Sequence, residues 1–260
     1  VQSMRVNLQP SYILHSRPYR DSSSLLEVFT AEFGRLSLVA RGVRRQTRGG
    51  SKTAQLQPFT PLLISYSGRS ELKTLATAEA AGAPLPLLGE RLYSAMYLNE
   101  LLVRLLHHHD AHPRLFAAYG QALEALSGSQ LVDSTLRRFE IGLLDELGYQ
   151  FDPATEGATG DPVEAETWYQ YHPDIGLVAS DRGAGGSAGS YLGADLLAMA
   201  RDDFDGAVRT PAKRLLRQVL AIHLGSQPLR SRELFLAGRS TDREQLSSGP
   251  AAGKAAEEAE

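Results

Sequence analysis

The feature that most constrains this 260-residue chain is a change of hydrophobic period near Gly82. Upstream, apolar residues recur at every second position in short runs, the pattern of half-buried strands. Downstream they recur every three to four positions, the pattern of helices that bury one face. One chain therefore has to hold a β half followed by an α half. Ala83-Pro84-Leu85-Pro86 marks the break, since proline removes a backbone donor and restricts the residue before it.

The β half reads as five short strands. The first covers residues 12–16 and closes at Arg17-Pro18. The second covers 25–30, with Leu26 and Val28 on one face and Leu25, Glu27 and Phe29 on the other. Glu32-Phe33-Gly34 is a tight reversal in which glycine supplies the positive φ such hairpins need. Leu36, Leu38 and Ala40 then alternate with Ser37, Val39 and Arg41. After a polar loop, residues 58–66 and 71–76 give two more strands joined through Ser67-Gly68-Arg69. Five short strands with one long polar loop predict a small barrel of the OB-fold type. Tyr12, Tyr19, Phe33, Phe59 and Tyr66 are its aromatics, and most are expected in its core.

In the α half, residues 91–106 carry the stripe Leu92, Ala95, Met96, Leu102, Leu105 and Leu106. Residues 113–126 carry Leu115, Phe116, Tyr119, Leu123 and Leu126 behind Pro113, which suits a first helical turn. Asp133 or Ser134 is the expected cap of a third helix with the stripe Leu136, Phe139, Leu143, Leu144 and Leu147, ended by Gly148. A last helix runs from Thr210-Pro211 to Gly225. The fold class is thus α+β: an OB-fold barrel over residues 1–80, then a helical domain over 81–240. An irregular, acid- and glycine-rich insertion at 151–189 holds one strand pair around 167–171 and 176–180. Residues 241–260, rich in Ala, Gly, Ser and Glu, read as a disordered tail.

Charge separates the halves further. The chain carries a net −3, yet residues 1–80 hold eleven Lys and Arg against five Asp and Glu, and the remainder is net −9. No acid lies between Glu32 and Glu71. Arg35, Arg41, Arg44, Arg45, Arg48, Lys52 and Arg69 all fall in that span. A basic half beside an acidic one points to an anionic partner, and a strand that feeds a glycine-punctuated Arg/Lys loop can present guanidinium forks to a phosphate backbone.

Other chemistry finds little support. With no cysteine there is no disulfide, thiol nucleophile or thiolate zinc site, which fits a reducing cytosol. No apolar run is long enough to span a bilayer, and no signal-peptide pattern opens the chain; a cytoplasmic protein is expected. His107-His108-His109-Asp110 with His112 resembles a metal cluster. Only His108 or His109 with His112 has helical ligand spacing, and the run reads as a polar connection between helices. RGGSKT at 48–53 lacks the glycine spacing of a phosphate loop, and GAGGSAG at 183–189 is one residue too long for the dinucleotide fingerprint. No nucleophile elbow or isolated carboxylate pair is present, so no enzyme and no cofactor is expected.

Several strings taken together resemble the RecO family of bacterial recombination mediators: YILHSRPYRDSSSLLEVFT, GRLSLVARGVRR, LQPFTPLLISYSGRSELKTL, RLYSAMYLNELLVRLL, LRRFEIGLLDELGY and PLRSRELF. They occur in the family's order. The resemblance implies an N-terminal OB-fold and a helical domain. It further implies binding of single- and double-stranded DNA, annealing of complementary strands, and contacts with RecR and with the C-terminal tail of single-stranded DNA-binding protein (SSB), which together help RecA load. It carries Arg35, Arg41, Arg44 and Arg45, and Arg69 and Lys73, onto a DNA-binding surface, while Arg48 and Lys52 rest on charge alone. The SSB tail is acidic and ends in Phe, so its site needs an apolar pocket beside a cation; Phe116 and Tyr119 near Arg137 or Arg138 are the candidates. Many members carry a four-cysteine zinc site in the region that here reads FDPATEGATGDPVEAETWYQYHPDIGLVAS. A metal-free hairpin packed by Trp168, Tyr169 and Tyr171 is expected in its place. Two rival readings are an OB-fold adaptor that contacts only protein, and a metal-dependent nuclease using acids within residues 145–205.

Overall fold

The computed structural model describes residues 4–44, 55–149, 151–180 and 189–235. Five strands come first: β1 (Met4–Tyr19), β2 (Ser23–Thr30), β3 (Gly34–Ala40), β4 (Leu62–Gly68) and β5 (Lys73–Ala80). They close into a barrel in the order β1-β2-β3-β5-β4, with β1 paired back to β4 and β3 running parallel to β5. Closure removes the sheet edges that would otherwise template aggregation. This is the expected OB-fold. Its interior is filled by alternate residues of the strands, among them Ile13, Leu26, Val28, Leu36, Leu38, Leu62, Ile64 and Tyr66.

Several strand boundaries differ from the sequence reading: β1 starts at Met4 rather than residue 12, and β5 covers Lys73–Ala80 rather than 71–76. β1 continues through Arg17-Pro18, because the restriction a proline imposes is to extended backbone, which a strand already has. β4 starts at Leu62 rather than residue 58, and Phe59 sits at φ +67°, outside strand geometry. β1 also shifts register between Ile13 and His15. Consecutive side chains here face opposite sides of the strand, so that Ile13 lies in the barrel and Leu14 packs with the helices.

The helical half holds α1 (Gly89–Leu105), α2 (Pro113–Ser127), α3 (Val132–Glu146), α4 (Gly193–Ala200) and α5 (Arg209–Leu224). Its core continues into the outer face of the barrel, where Leu14 and Phe29 meet Leu102, Tyr119 and their neighbours. The α1 stripe runs through Ala95, Leu98, Leu101, Leu102 and Leu105, all buried, whereas Met96, one position off that face, is exposed. Neither Asp133 nor Ser134 caps α3. Leu131 is the N-cap; Asp133, in the first turn, is instead paired with Arg209 and Lys213, and Ser134 donates to Asp205 Oδ1 at 2.6 Å. Gly148 ends the helix at φ +73°, with Tyr149 N–H donating to the Leu144 carbonyl.

The insertion carries the expected antiparallel pair, β6 (Trp168–His172) with β7 (Gly176–Ala179), and a third strand, β8 (Ser190–Leu192), on the other side of β6. At three residues β8 is too short to leave a periodic signal. The region offers no thiolate, and among the described residues no group of three His, Asp or Glu is placed to hold a metal ion. With no cysteine in the sequence, the family's four-cysteine zinc site does not fit this chain. Hydrogen bonds hold the loop instead: Glu156 Oε1 accepts from Ala179 N–H at 2.9 Å, and Glu164 N–H donates to the Tyr169 hydroxyl at 2.9 Å. The tail at 241–260 lies outside the described residues.

Candidate nucleic-acid interface

Three turns meet at one end of the barrel. The β1–β2 turn brings Arg20, the end of β3 brings Arg41 and Arg44, and the β4–β5 turn brings Arg69, with Lys73 at the start of β5. The four arginines are exposed. Between the turns lies a cavity of about 700 Å³ whose lining includes Arg20, Ser22, Arg41, Ser70, Lys73 and Thr74, and no Asp or Glu. Lys73 is unlike the others, with only 7% of its surface exposed. Its positive charge helps to hold His109 below the usual imidazole range, after burial, which is the larger cause. Arg45, Arg48 and Lys52 lie outside the described residues. Arg20 was not anticipated; it stands in RPYR, three residues before β2, and its guanidinium lies 5.2 Å over the Tyr19 ring.

Arg35 does not join this rim. It sits on the outer face of β3 with its side chain 13% exposed, Nη1 at 3.0 Å from Glu27 Oε2 and Nε donating to the Leu106 carbonyl at 3.1 Å. Glu27 also accepts from Ser37 Oγ at 2.5 Å and lies 3.3 Å from His108 Nε2. The His107–His112 run is the other side of this seam: His109 N–H donates to the Arg35 carbonyl at 3.0 Å, and a Cβ built on Gly34 would stand 1.8 Å from the Asp110 carbonyl oxygen. A polar connection between α1 and α2 therefore docks the helical half on the β2–β3 hairpin.

The four residues expected to hold an acidic tail are not brought together. Phe116 packs against Tyr12 and Phe29, with ring centroids 5.4 Å apart in each case, and Tyr119 packs edge-on against Tyr12 at 5.1 Å. Tyr119 is fully buried and donates to Asn99 Oδ1 at 2.5 Å, while Asn99 Nδ2 donates to the Leu14 carbonyl at 2.8 Å. Both aromatics are thus joints between barrel and helices. Arg138 is on the surface, 2.7 Å from Asp202.

Arg137 lies elsewhere, at the floor of a cleft of about 500 Å³ between α1, α3 and α5, whose lining includes Leu136, Leu220, Leu224, Lys213 and Arg217. Its Nη2 donates to Glu140 Oε1 at 2.6 Å, and the Tyr97 hydroxyl donates to the same oxygen at 2.6 Å. Arg137 Nε and Nη1 are buried without a hydrogen-bond partner. Burial pushes the Glu140 carboxyl above its usual range against the pull of Arg137. Arg217 is exposed at the rim and forms no ion pair among the described residues. The sequence signal for this cleft is Lys213 and Arg217, four apart on α5 beside Leu216 and Leu220.

A basic barrel end, an apolar cleft with buried and rim cations, and a close seam between them describe the molecule without naming it. The sequence patterns described as Recombination protein O N terminal and Recombination protein O C terminal match residues 4–83 and 88–233. The chain belongs to the RecO family. It is 48% identical over 237 residues to the DNA repair protein RecO of Nitrosococcus oceani, covering 89% of this chain and 94% of that one. It is 46% identical to the DNA repair protein RecO of Stutzerimonas stutzeri (91% and 96% covered) and 44% identical to that of Methylococcus capsulatus (89% and 93% covered). Relatives so named, similar over nearly their full length, support a role in DNA repair. Among the described residues no helix is long and apolar enough to cross a membrane.

Proposed function

We propose that the chain is a recombination mediator: it binds single- and double-stranded DNA through the basic end of its barrel, anneals complementary strands, and acts with RecR and SSB so that RecA loads. The observation that carries this reading is the barrel end, where Arg20, Arg41 and Lys73 line one cavity that has no acid in its lining, and Arg44 and Arg69 flank it and outnumber Asp21 and Glu71 of the same turns. Cations spread over three turns neutralise phosphates without reading bases, so binding is tolerant of sequence, and strand pairing supplies the discrimination. No covalent step enters, and the place of action is the nucleoid in the bacterial cytoplasm.

On this reading the SSB tail occupies the α1–α3–α5 cleft rather than the Phe116–Tyr119 face. Apolar walls from Leu136, Leu220 and Leu224 suit a terminal Phe, while Arg137, Lys213 and Arg217 suit its carboxylate and the acids before it. The test is fluorescence anisotropy with labelled single-stranded DNA and, separately, with a peptide ending in the SSB tail. Binding of both, with DNA binding lost in Arg41→Glu/Arg44→Glu and peptide binding retained, supports the two sites. Peptide binding with no DNA binding leaves a protein adaptor, and magnesium-dependent cleavage of the labelled strand replaces the mediator with a nuclease.

A further inference from the structure

The barrel-end cavity holds one cation more enclosed than the others. Lys73 is 7% exposed, yet among the described residues no carboxylate lies within ion-pairing distance of it. Lysines are rarely enclosed to this degree without a partner, and this one lines the cavity. Its stem is also deliberately accommodated. Gly68 lies at φ +152°, and a Cβ there would press on the Lys73 Cα and Cδ at 3.2 and 3.3 Å. Residue 68 thus has no side chain where the lysine stem passes.

Arg20 and Arg41 join Lys73 on the wall, with hydroxyls from Ser22, Ser23, Ser70 and Thr74 between them. Three cationic residues with Ser22, Ser23 and Thr74 around about 700 Å³, the Ser70 hydroxyl being donated to the Leu72 carbonyl, leave room for a nucleotide-sized anion. An internal phosphodiester carries one negative charge, whereas a terminal phosphomonoester carries close to two near neutral pH and presents three acceptor oxygens. A set of three cations concentrated in one recess is better matched by the monoester.

We propose that this cavity is a seat for a phosphomonoester, and that its source is the phosphorylated end of a DNA strand, with Lys73 the buried counter-charge and Arg20 and Arg41 closing over it. The inference rests on the DNA-binding reading, but adds that strand ends are distinguished from strand interiors. Placing an end in a fixed seat gives an annealing protein a defined starting register.

The full chain is titrated into labelled oligothymidylates that are identical except for a 5′-phosphate, a 3′-phosphate or neither. One phosphorylated end is expected to bind about tenfold more tightly than the unphosphorylated strand, the size of one charge-assisted contact. Lys73→Met, which keeps the stem over Gly68, weakens the phosphorylated strand about tenfold more than the unphosphorylated one, so that the preference is lost. Arg41→Gln, at an exposed position, reduces the preference without demand on folding. Equal affinity for all three strands overturns the seat while leaving DNA binding intact. Retention of the preference in Lys73→Met and Arg41→Gln overturns the assignment to this cavity. Thymidine 5′-monophosphate, titrated alone, separates the two layers: if it binds in a Lys73-dependent way while no oligomer binds, the DNA reading fails and the monoester seat stands.

Discussion

Replacing Gly34 by Ala tests how the barrel and the helices are held together. Gly34 lies at φ +64°, a conformation that costs an L residue about 1–2 kcal/mol. The added methyl carbon would also stand 1.8 Å from the Asp110 carbonyl oxygen, where ordinary contact begins near 3.4 Å. The 106–110 connection has to retreat by more than an ångström, which breaks the 3.0 Å bond from His109 N–H to the Arg35 carbonyl. Losing that bond adds about 1–2 kcal/mol, for a total of about 3 kcal/mol. Gly42 is the internal control: its φ is +66°, but nothing lies within 4 Å of its Cβ position, so Gly42→Ala bears the backbone cost alone. At roughly 2–4 °C per kcal/mol for a chain of this size, thermal unfolding followed by circular dichroism should show Tm lowered by about 4 °C in Gly42→Ala and about 9 °C in Gly34→Ala. Equal shifts in the two variants would refute the claim that the hairpin and the histidine loop are in contact.

Three further outcomes follow from the same geometry. Asn99→Ala leaves the Leu14 carbonyl and the Tyr119 hydroxyl without their partner inside the seam and should cost about 2–4 kcal/mol in urea unfolding; a loss under 1 kcal/mol would show the seam to be water-filled. Burial raises the Asp133 carboxyl, but hydrogen bonds and charge from Arg209 and Lys213 outweigh it and hold the group below its usual range. A carboxylate so depressed adds stability above its unfolded pKa, near 4, and loses it as pH falls through the lower folded value. Asp133→Asn should therefore cost about 1 kcal/mol at pH 7, discounted for the exposure of Arg209, and the gap to the parent should close below about pH 4; a gap independent of pH would remove the ion pair from the account. Arg217→Glu should weaken the SSB-tail peptide at least about tenfold with DNA affinity unchanged, and an unaffected peptide would empty the cleft of that role.

What the sequence discloses here depends on how local the cause is. The barrel strands were legible because each buries one face, so Leu26 and Val28 alternate with Glu27 and Phe29 and the period of two survives in the text. The Gly34 reversal and the Gly148 helix end were legible because a positive φ selects glycine at once. The role of Leu14 was not, since an apolar residue on the outer face of a strand does not disclose that a second core covers it. The rim could be read only as a charge imbalance. That Arg35 belongs to a seam with Glu27 and His108 depends on partners 8 and 73 residues away, and no spacing rule encodes that. Phe116 and Tyr119 were read from one helical stripe, and the stripe does not disclose that both rings pack on Tyr12 and Phe29 across the domain seam.

On the proposed function, the seam would keep the two binding surfaces apart. The cavity opens at the β1–β2, β3 and β4–β5 ends of the barrel, and the cleft opens between α1, α3 and α5. A closed barrel and a helical core that runs continuously into its outer face fix the distance between them, so a strand and a protein tail can be held together without competing for the same cations.

The salt dependence of single-stranded DNA binding tests the central claim most directly. Arg20, Arg41, Arg44, Arg69 and Lys73 at the barrel end, each releasing about 0.7 of a counterion per phosphate neutralised on a single strand, predict that log Kobs falls against log salt with a slope of about −3.5. Arg41→Glu/Arg44→Glu should flatten that slope by more than 1. No binding at low salt, or a slope near zero that the double variant leaves unchanged, would contradict a phosphate-directed barrel end and with it the mediator reading.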